Sequence, residues 1–210
     1  MSGGRLITFE GVEGCGKSTQ LLLLARHLQR RGIAFVTTRE PGGTALGERV
    51  RELLLDPRLV PAPAAELFLF EAARAQVVAE VVKPALLAGS TVLSDRFADS
   101  SLAYQGGARG IPAATVARLN ELACAGLVPD RTLVFDLDVE LAFGRARRRP
   151  STTADNRRFE DEATAFHQAV AEAYRDLARR EPARVAVVDA RGTPDEVHER
   201  TKAAVADLFP

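Results

Sequence analysis

What this chain has little of narrows what it can do. Cysteine occurs only at Cys15 and Cys124. Two isolated thiols make neither a disulfide framework nor a metal-ligand pattern, and they suit a reducing cytosol. Nowhere do about 18 apolar residues run together, so no membrane-spanning helix is expected. The opening MSGGRLITFEG puts no long apolar run behind a basic segment, so no signal peptide is expected and the default compartment is the cytoplasm. Net charge is also missing. Lys plus Arg number 28, as do Asp plus Glu, so no global field favours nucleic acid or anionic lipid. A mononucleotide needs only a local basic patch and is not excluded. Lysine is rare, confined to Lys17, Lys83 and Lys202. A single Arg therefore says little about phosphate binding, while Lys17 gains weight.

What is present reads as one α/β domain over residues 1–210. Short β-branched and aromatic runs alternate with helical patterns, the mark of a parallel sheet. Strands are expected at Leu6 to Phe9, Ala34 to Thr37, Thr91 to Leu93, Thr132 to Asp136 and Val185 to Val188. All are nearly continuous in apolar character, as strands covered on both faces should be. Helices are expected at Lys17 to Arg31, Gly47 to Leu55, Ala64 to Leu87 with a break near Pro84, Ala113 to Ala125, Val139 to Arg147, Glu160 to Arg180, and Pro194 to Leu208. No internal repeat or linker composition interrupts them. The segment Arg145 to Arg158 carries six arginines and no large apolar residue. It reads either as a solvated loop or as a mobile active-site lid.

The sharpest signal is Gly11-Val12-Glu13-Gly14-Cys15-Gly16-Lys17-Ser18, followed by Thr19. It fits G-x-x-x-x-G-K-[ST] in full, between an expected strand and an expected helix. Glycines let the backbone fold into a nest of inward N–H groups, and the helix N-terminus adds positive potential. Lys17 supplies a point charge for the β- and γ-phosphates of ATP, and the Ser18 hydroxyl a ligand for Mg²⁺. Cys15 reads as either a small loop residue or an oxidation-sensitive thiol. The Asn-Lys-x-Asp signal of GTPases is absent. The third strand ends Leu93-Ser94-Asp95-Arg96, giving a second Mg²⁺-side carboxylate beside a phosphate-binding Arg, which suits a small phosphate acceptor.

Beyond these readings, the chain resembles the bacterial thymidylate kinase (dTMP kinase) family of P-loop nucleoside monophosphate kinases. The matching pieces are FEGVEGCGKST at 9 to 19, TREPGGT at 38 to 44, and Phe70 with Arg74 in LFLFEAARAQ. SDRFADSSLAYQGGARG at 94 to 110, PDRTLVFDLD at 129 to 138 and RFE at 158 to 160 complete them. The resemblance implies a P-loop NTPase fold with a five-stranded parallel sheet flanked by helices, an Arg-rich lid at about 145–158, and a homodimer. It implies transfer of the γ-phosphate of ATP to dTMP, with Mg²⁺ held by Ser18 and Asp95. Phe70 would stack on thymine, Arg74 bond its O4, and Ser101 with Gln105 read the remaining polar edge. Tyr104 would crowd the 2′ position, and Arg51 and Arg96 grip the acceptor phosphate. Glu13 would lie near the acceptor sugar, and Glu40 joins the substrate set.

Read without the resemblance, Phe70 would be core, Tyr104 a packed aromatic, and Gln105-Gly106-Gly107 a turn. The loop residues Val12 to Cys15 include no basic side chain. In the family this chain resembles, the charge for the travelling phosphoryl group comes from an Arg either in this loop or in the lid, so the resemblance implies the lid here, with Arg145, Arg149 and Arg158 as candidates. Departures from the family pattern are the inserted Pro150 to Thr153, Arg157 where an acid is usual, and Phe97 for a commoner Tyr.

Overall fold

Five short strands carry the architecture, each grown from an apolar run too short for a helix. The computed structural model describes residues 3–147, 159 and 162–209. In chain order the strands are β1 (Leu6–Glu10), β2 (Phe35–Arg39), β3 (Thr91–Asp95), β4 (Arg131–Asp136) and β5 (Val185–Asp189). They pair in parallel in the order β2-β3-β1-β4-β5. Parallel neighbours need crossovers, and helices supply them. These are α1 (Lys17–Arg30), α2 (Ala45–Leu55), α3 (Pro63–Val77), α4 (Lys83–Leu87) and α5 (Ala98–Ser101). The remainder are α6 (Ala113–Ala123), α7 (Val139–Arg147), α8 (Thr164–Arg180) and α9 (Pro194–Ala203).

Alternation along β1 feeds two cores. Ile7 and Phe9 enter one and Leu6 the other, so the central strand is buried throughout. The expectation that every strand is covered on both faces fails for the two edge strands, β2 and β5. Both are only partly buried, and Val187 on β5 is half exposed.

Four strands run past the apolar residues that signal them. The expected ends Phe9, Thr37, Leu93 and Val188 become Glu10, Arg39, Asp95 and Asp189. Backbone pairing does not stop where hydrophobicity does. Asp95 lies opposite both Phe9 and Arg39, and Asp136 opposite Asp189. A row of charged side chains thus lines the C-terminal edge of the sheet, where open α/β sheets bind ligands.

Two helical stretches differ from expectation. Pro84 does not break the chain. The helix widens into π-turns over Val78–Val82, with Lys83 N–H bonded to the Val78 carbonyl, and Pro84 falls in the first turn of α4. That widening removes the carbonyl clash a proline makes with an ordinary helical turn. Nor is Gln105-Gly106-Gly107 a turn. α5 continues into a π-helical segment, Leu102–Ala108. Gly107 is there because α8 comes so close that a Cβ would sit 2.7 Å from the Ala173 Cβ. The helix expected from Glu160 begins at Thr164, with Glu160 and Asp161 outside the described residues.

Candidate active site

The glycine loop bridges β1 and α1, and its backbone shows why glycine is required. Gly14 and Gly16 take φ of 80° and 100°, values that a side chain opposes. A Cβ on Gly14 would also run into the carbonyl of Ala142. α1 starts at Lys17, so its unpaired N–H groups and positive end face the loop. Lys17 Nζ donates to the Val12 carbonyl at 3.3 Å, and the Ser18 hydroxyl donates to the Asp95 carboxylate. Cys15 is buried, and burial pushes its thiol above the ordinary range. That suits a small packing residue better than a reactive thiolate.

Two clefts flank the loop. The first opens over the C-terminal ends of β1 and β3 and spans about 940 Å³, counted out to its mouth. Glu13, Gly14, Lys17 and Ser18 form one wall with Asp95 and Arg96. Glu40, Arg51, Phe70, Ser101, Tyr104 and Gln105 form the other, roofed by Phe159. The Phe159 ring lies 6.1 Å from both Phe70 and Tyr104. The second cleft lies between loop residues Gly14, Cys15, Gly16 and Thr19 and the segment from Ala190 to Val197. Arg145 lines this second cleft, with Nη1 donating to the Ala190 carbonyl at 3.1 Å. Arg149 and Arg158 lie outside the described residues.

A charged cluster closes the first cleft at the loop. Arg96 holds a left-handed backbone (φ 72°), an uncommon state for a non-glycine residue and one concentrated at functional sites. Its Nη2 donates to Glu13 Oε1 at 2.5 Å and to the Tyr104 hydroxyl at 3.0 Å, and its guanidinium lies 4.8 Å from the Tyr104 ring. Tyr104 donates in turn to Glu13 Oε2 at 2.8 Å. Burial alone would raise the Glu13 carboxyl, but Arg96, Lys17 and Tyr104 together hold it below the usual range. His167, fully buried between Phe143 and Phe166, reaches to 3.6 Å from Glu13, and burial keeps its imidazole pKa low.

Deeper down, Arg74 underlies the wall formed by Glu40 and Ser101. It is buried to 1% exposure and is not itself a lining residue. Nε donates to Glu40 at 2.8 Å, and Nη1 to Glu71, Ser101 and Asn120 at 2.6, 3.0 and 2.8 Å. Nη2 donates to the Phe97 carbonyl at 3.1 Å. Burial raises Glu40 to about 7 against the pull of Arg74. Glu10, at the end of β1, is likewise raised to about 7, first by burial and then by Asp99. It accepts from Phe97 N at 2.7 Å, Ser100 Oγ at 2.6 Å and Tyr174 Oη at 2.7 Å. Glu10 thereby pins the turn that carries Arg96.

The structure gathers Glu13, Lys17, Ser18, Glu40, Arg51, Phe70, Asp95, Arg96, Ser101, Tyr104 and Gln105 around one cleft. It sets Arg74 beneath that cleft and Arg145 in the other. Sequence reasoning missed Glu10, Glu66, Glu71, Arg109, Phe159 and His167. Glu10, Glu71, Arg109 and Phe159 lie inside the motif segments already singled out, and Glu10 also closes an apolar strand, so those signals could have marked them, whereas Glu66 lies in none of those segments.

A phosphate-binding loop at the C-terminal edge of a parallel sheet, sharing one cleft with an aromatic and polar wall, defines a P-loop nucleoside monophosphate kinase. The thymidylate kinase family model matches residues 9–201. Thymidylate kinase of Pelobacter propionicus is 49% identical over 205 residues, covering 96% of this chain and 94% of that one. Thymidylate kinase of Trichlorobacter lovleyi is 49% identical over 202 residues, covering 95% of each. The crystal structure of thymidylate kinase from Ehrlichia chaffeensis matches with a TM-score of 0.76 at 31% identity, over 97% of this chain and 99% of that one. The chain belongs to the thymidylate kinase family. Its activity is phosphorylation of dTMP to dTDP.

Proposed function

We propose that the first cleft holds dTMP and the second the adenosine of ATP, with the glycine loop carrying the phosphates between them. One observation supports this above all. A single cleft joins Lys17 and Ser18 to Phe70, Ser101 and Gln105. An acceptor lying there would present its phosphate to the loop without any large rearrangement.

Each role follows from chemistry. Phe70 offers a face for thymine, and Ser101 and Gln105 offer polar atoms for its edge. A contact from Arg74 to thymine O4 would come from Nη2, which among the described residues donates to the Phe97 carbonyl. Tyr104 stands beside Glu13 where the sugar would lie. Arg51 and Arg96 grip the acceptor phosphate through their guanidinium forks. Adenine would lie against Arg145 and the segment after Ala190.

Ser18 and Asp95 are the residues that would hold Mg²⁺. Their oxygens already meet across the loop and β3, and both are the hard donors this ion prefers. When bound, the ion neutralises charge building on the β- and γ-phosphates. The attacking phosphate oxygen is already anionic, so no general base is needed. Positioning and charge carry the in-line transfer. Arg149 and Arg158 are proposed to add charge at the transferring group, a role resting on the resemblance alone.

The chain is further proposed to act as one domain over residues 1–210, in the cytoplasm, as a homodimer. No described helix is long and apolar enough to cross a membrane. Leu53 on α2, Phe68 on α3 and Leu122 on α6 are exposed apolar residues on packed neighbouring helices, which supports pairing.

Steady-state kinetics of Phe70→Ala and Arg51→Ala test the assignment. The KM for dTMP should rise about tenfold or more, the loss of one stacking or charged contact, with the KM for ATP unchanged. If both KM values rose together, the division of the clefts would be wrong.

A further inference from the structure

We propose that Glu66 is a positioning residue that fixes which end of the Gln105 amide faces the base, and so selects a pyrimidine bearing an N3–H. The proposal rests on the reading that Gln105 faces the base, and carries it one residue further. Glu66 lies on α3 with no exposed surface. Its Oε1 accepts from Gln105 Nε2 at 2.9 Å.

Glu66 is itself held in place. Arg109 donates Nε to Oε1 and Nη2 to Oε2, both at 3.2 Å. Arg109 is anchored in turn by Glu162, 2.5 Å from Nη2, and by the Phe166 ring, 4.5 Å below its guanidinium. The Gln105 backbone is fixed as well, because its carbonyl accepts from Ile111 N at 3.0 Å. Neither partner is free to turn away.

An amide has a donor end and an acceptor end, whereas a carboxylate paired with Arg only accepts. The Gln105 NH₂ must therefore face Glu66. The carbonyl oxygen is the end left for the cleft that Gln105 lines. A carbonyl there accepts the N3–H of thymine or uracil and opposes the lone pair on N3 of cytosine. Turning the amide over would set two acceptors against each other at a buried charge. Discrimination thus comes from a residue that never touches the base, and sites built around one directed hydrogen bond reject the analogue that cannot complete it.

The test is kcat/KM for dTMP and for dCMP, measured on the same preparation. Their ratio does not depend on the folded fraction, so loss of stability cannot mimic the effect. Glu66→Gln puts an amide opposite Gln105 that satisfies it either way round. The dTMP:dCMP ratio should fall roughly tenfold or more, mainly through KM, with kcat at saturating dTMP changed far less. Combining Glu66→Gln with Gln105→Glu returns a fixed acceptor to the cleft side and should restore the preference. An unchanged ratio in Glu66→Gln, alongside a collapsed ratio in Gln105→Met, would overturn the positioning role and leave the Gln105 reading intact. A ratio preserved in Gln105→Met would overturn the base-reading assignment, and this proposal with it. Failure of the double variant to recover would count against the orientation mechanism.

Discussion

Glu10 holds its carboxyl at about 7, so its charge is opposed by its surroundings at neutral pH. Below 4.5, its ordinary value, the folded and unfolded chains both keep the proton. Between there and about 7 only the unfolded chain releases it, so stability falls as pH rises through this window. Glu10→Gln keeps the shape and removes the titration. The stability of the native chain relative to this variant should drop by up to ~3 kcal/mol from pH 4.5 to 8. Urea unfolding at several pH values measures it, and parallel profiles would refute the buried-carboxylate account. Arg74→Ala should be costlier at any neutral pH. It strands Glu40 and Glu71 in the interior, a loss of about 3–5 kcal/mol for a broken buried pair. Denaturant midpoints check this directly. Single residues were legible where local spacing fixes them. Lys17 and Ser18 follow from the loop pattern, and Asp95 with Arg96 from the end of a strand. Glu66 and His167 were not, because their meaning comes from partners 39 and 154 residues away (Gln105 and Glu13).

Helices and strands were legible to the extent that hydrophobic period defines them. All five strands lie where apolar runs predict, yet four end later, since hydrogen bonding carries the ladder through charged residues that hydropathy cannot score. Without the resemblance, the segment after Phe97 would be misread for a related reason. Glycines at 106 and 107 signal a turn locally, but the close approach of α8 is what requires a small residue at Gly107. Gly107→Ala should therefore destabilise the fold by about 1–3 kcal/mol through overpacking against Ala173, although alanine favours helix. A stabilised variant in thermal melts would show that this contact is loose. Tyr104 sits in the same segment, so the variant should also weaken dTMP binding.

At the scale of the whole molecule, one sheet edge brings loop, carboxylate and the aromatic and polar wall together in one cleft. If the chain pairs as proposed, Leu53→Glu with Phe68→Glu should convert the dimer to a monomer in sedimentation, and a native chain that already sediments as a monomer, or an unchanged mass in the variant, would contradict that pairing surface. The central claim is that acceptor choice and phosphate transfer belong to one cleft. ADP formation from ATP·Mg²⁺ with dTMP, dUMP, UMP, CMP, AMP and GMP in parallel tests it most directly. The account predicts strong stimulation by dTMP, weaker by dUMP and little by the rest. ATP hydrolysis that no monophosphate stimulates, or preference for a purine, would contradict it.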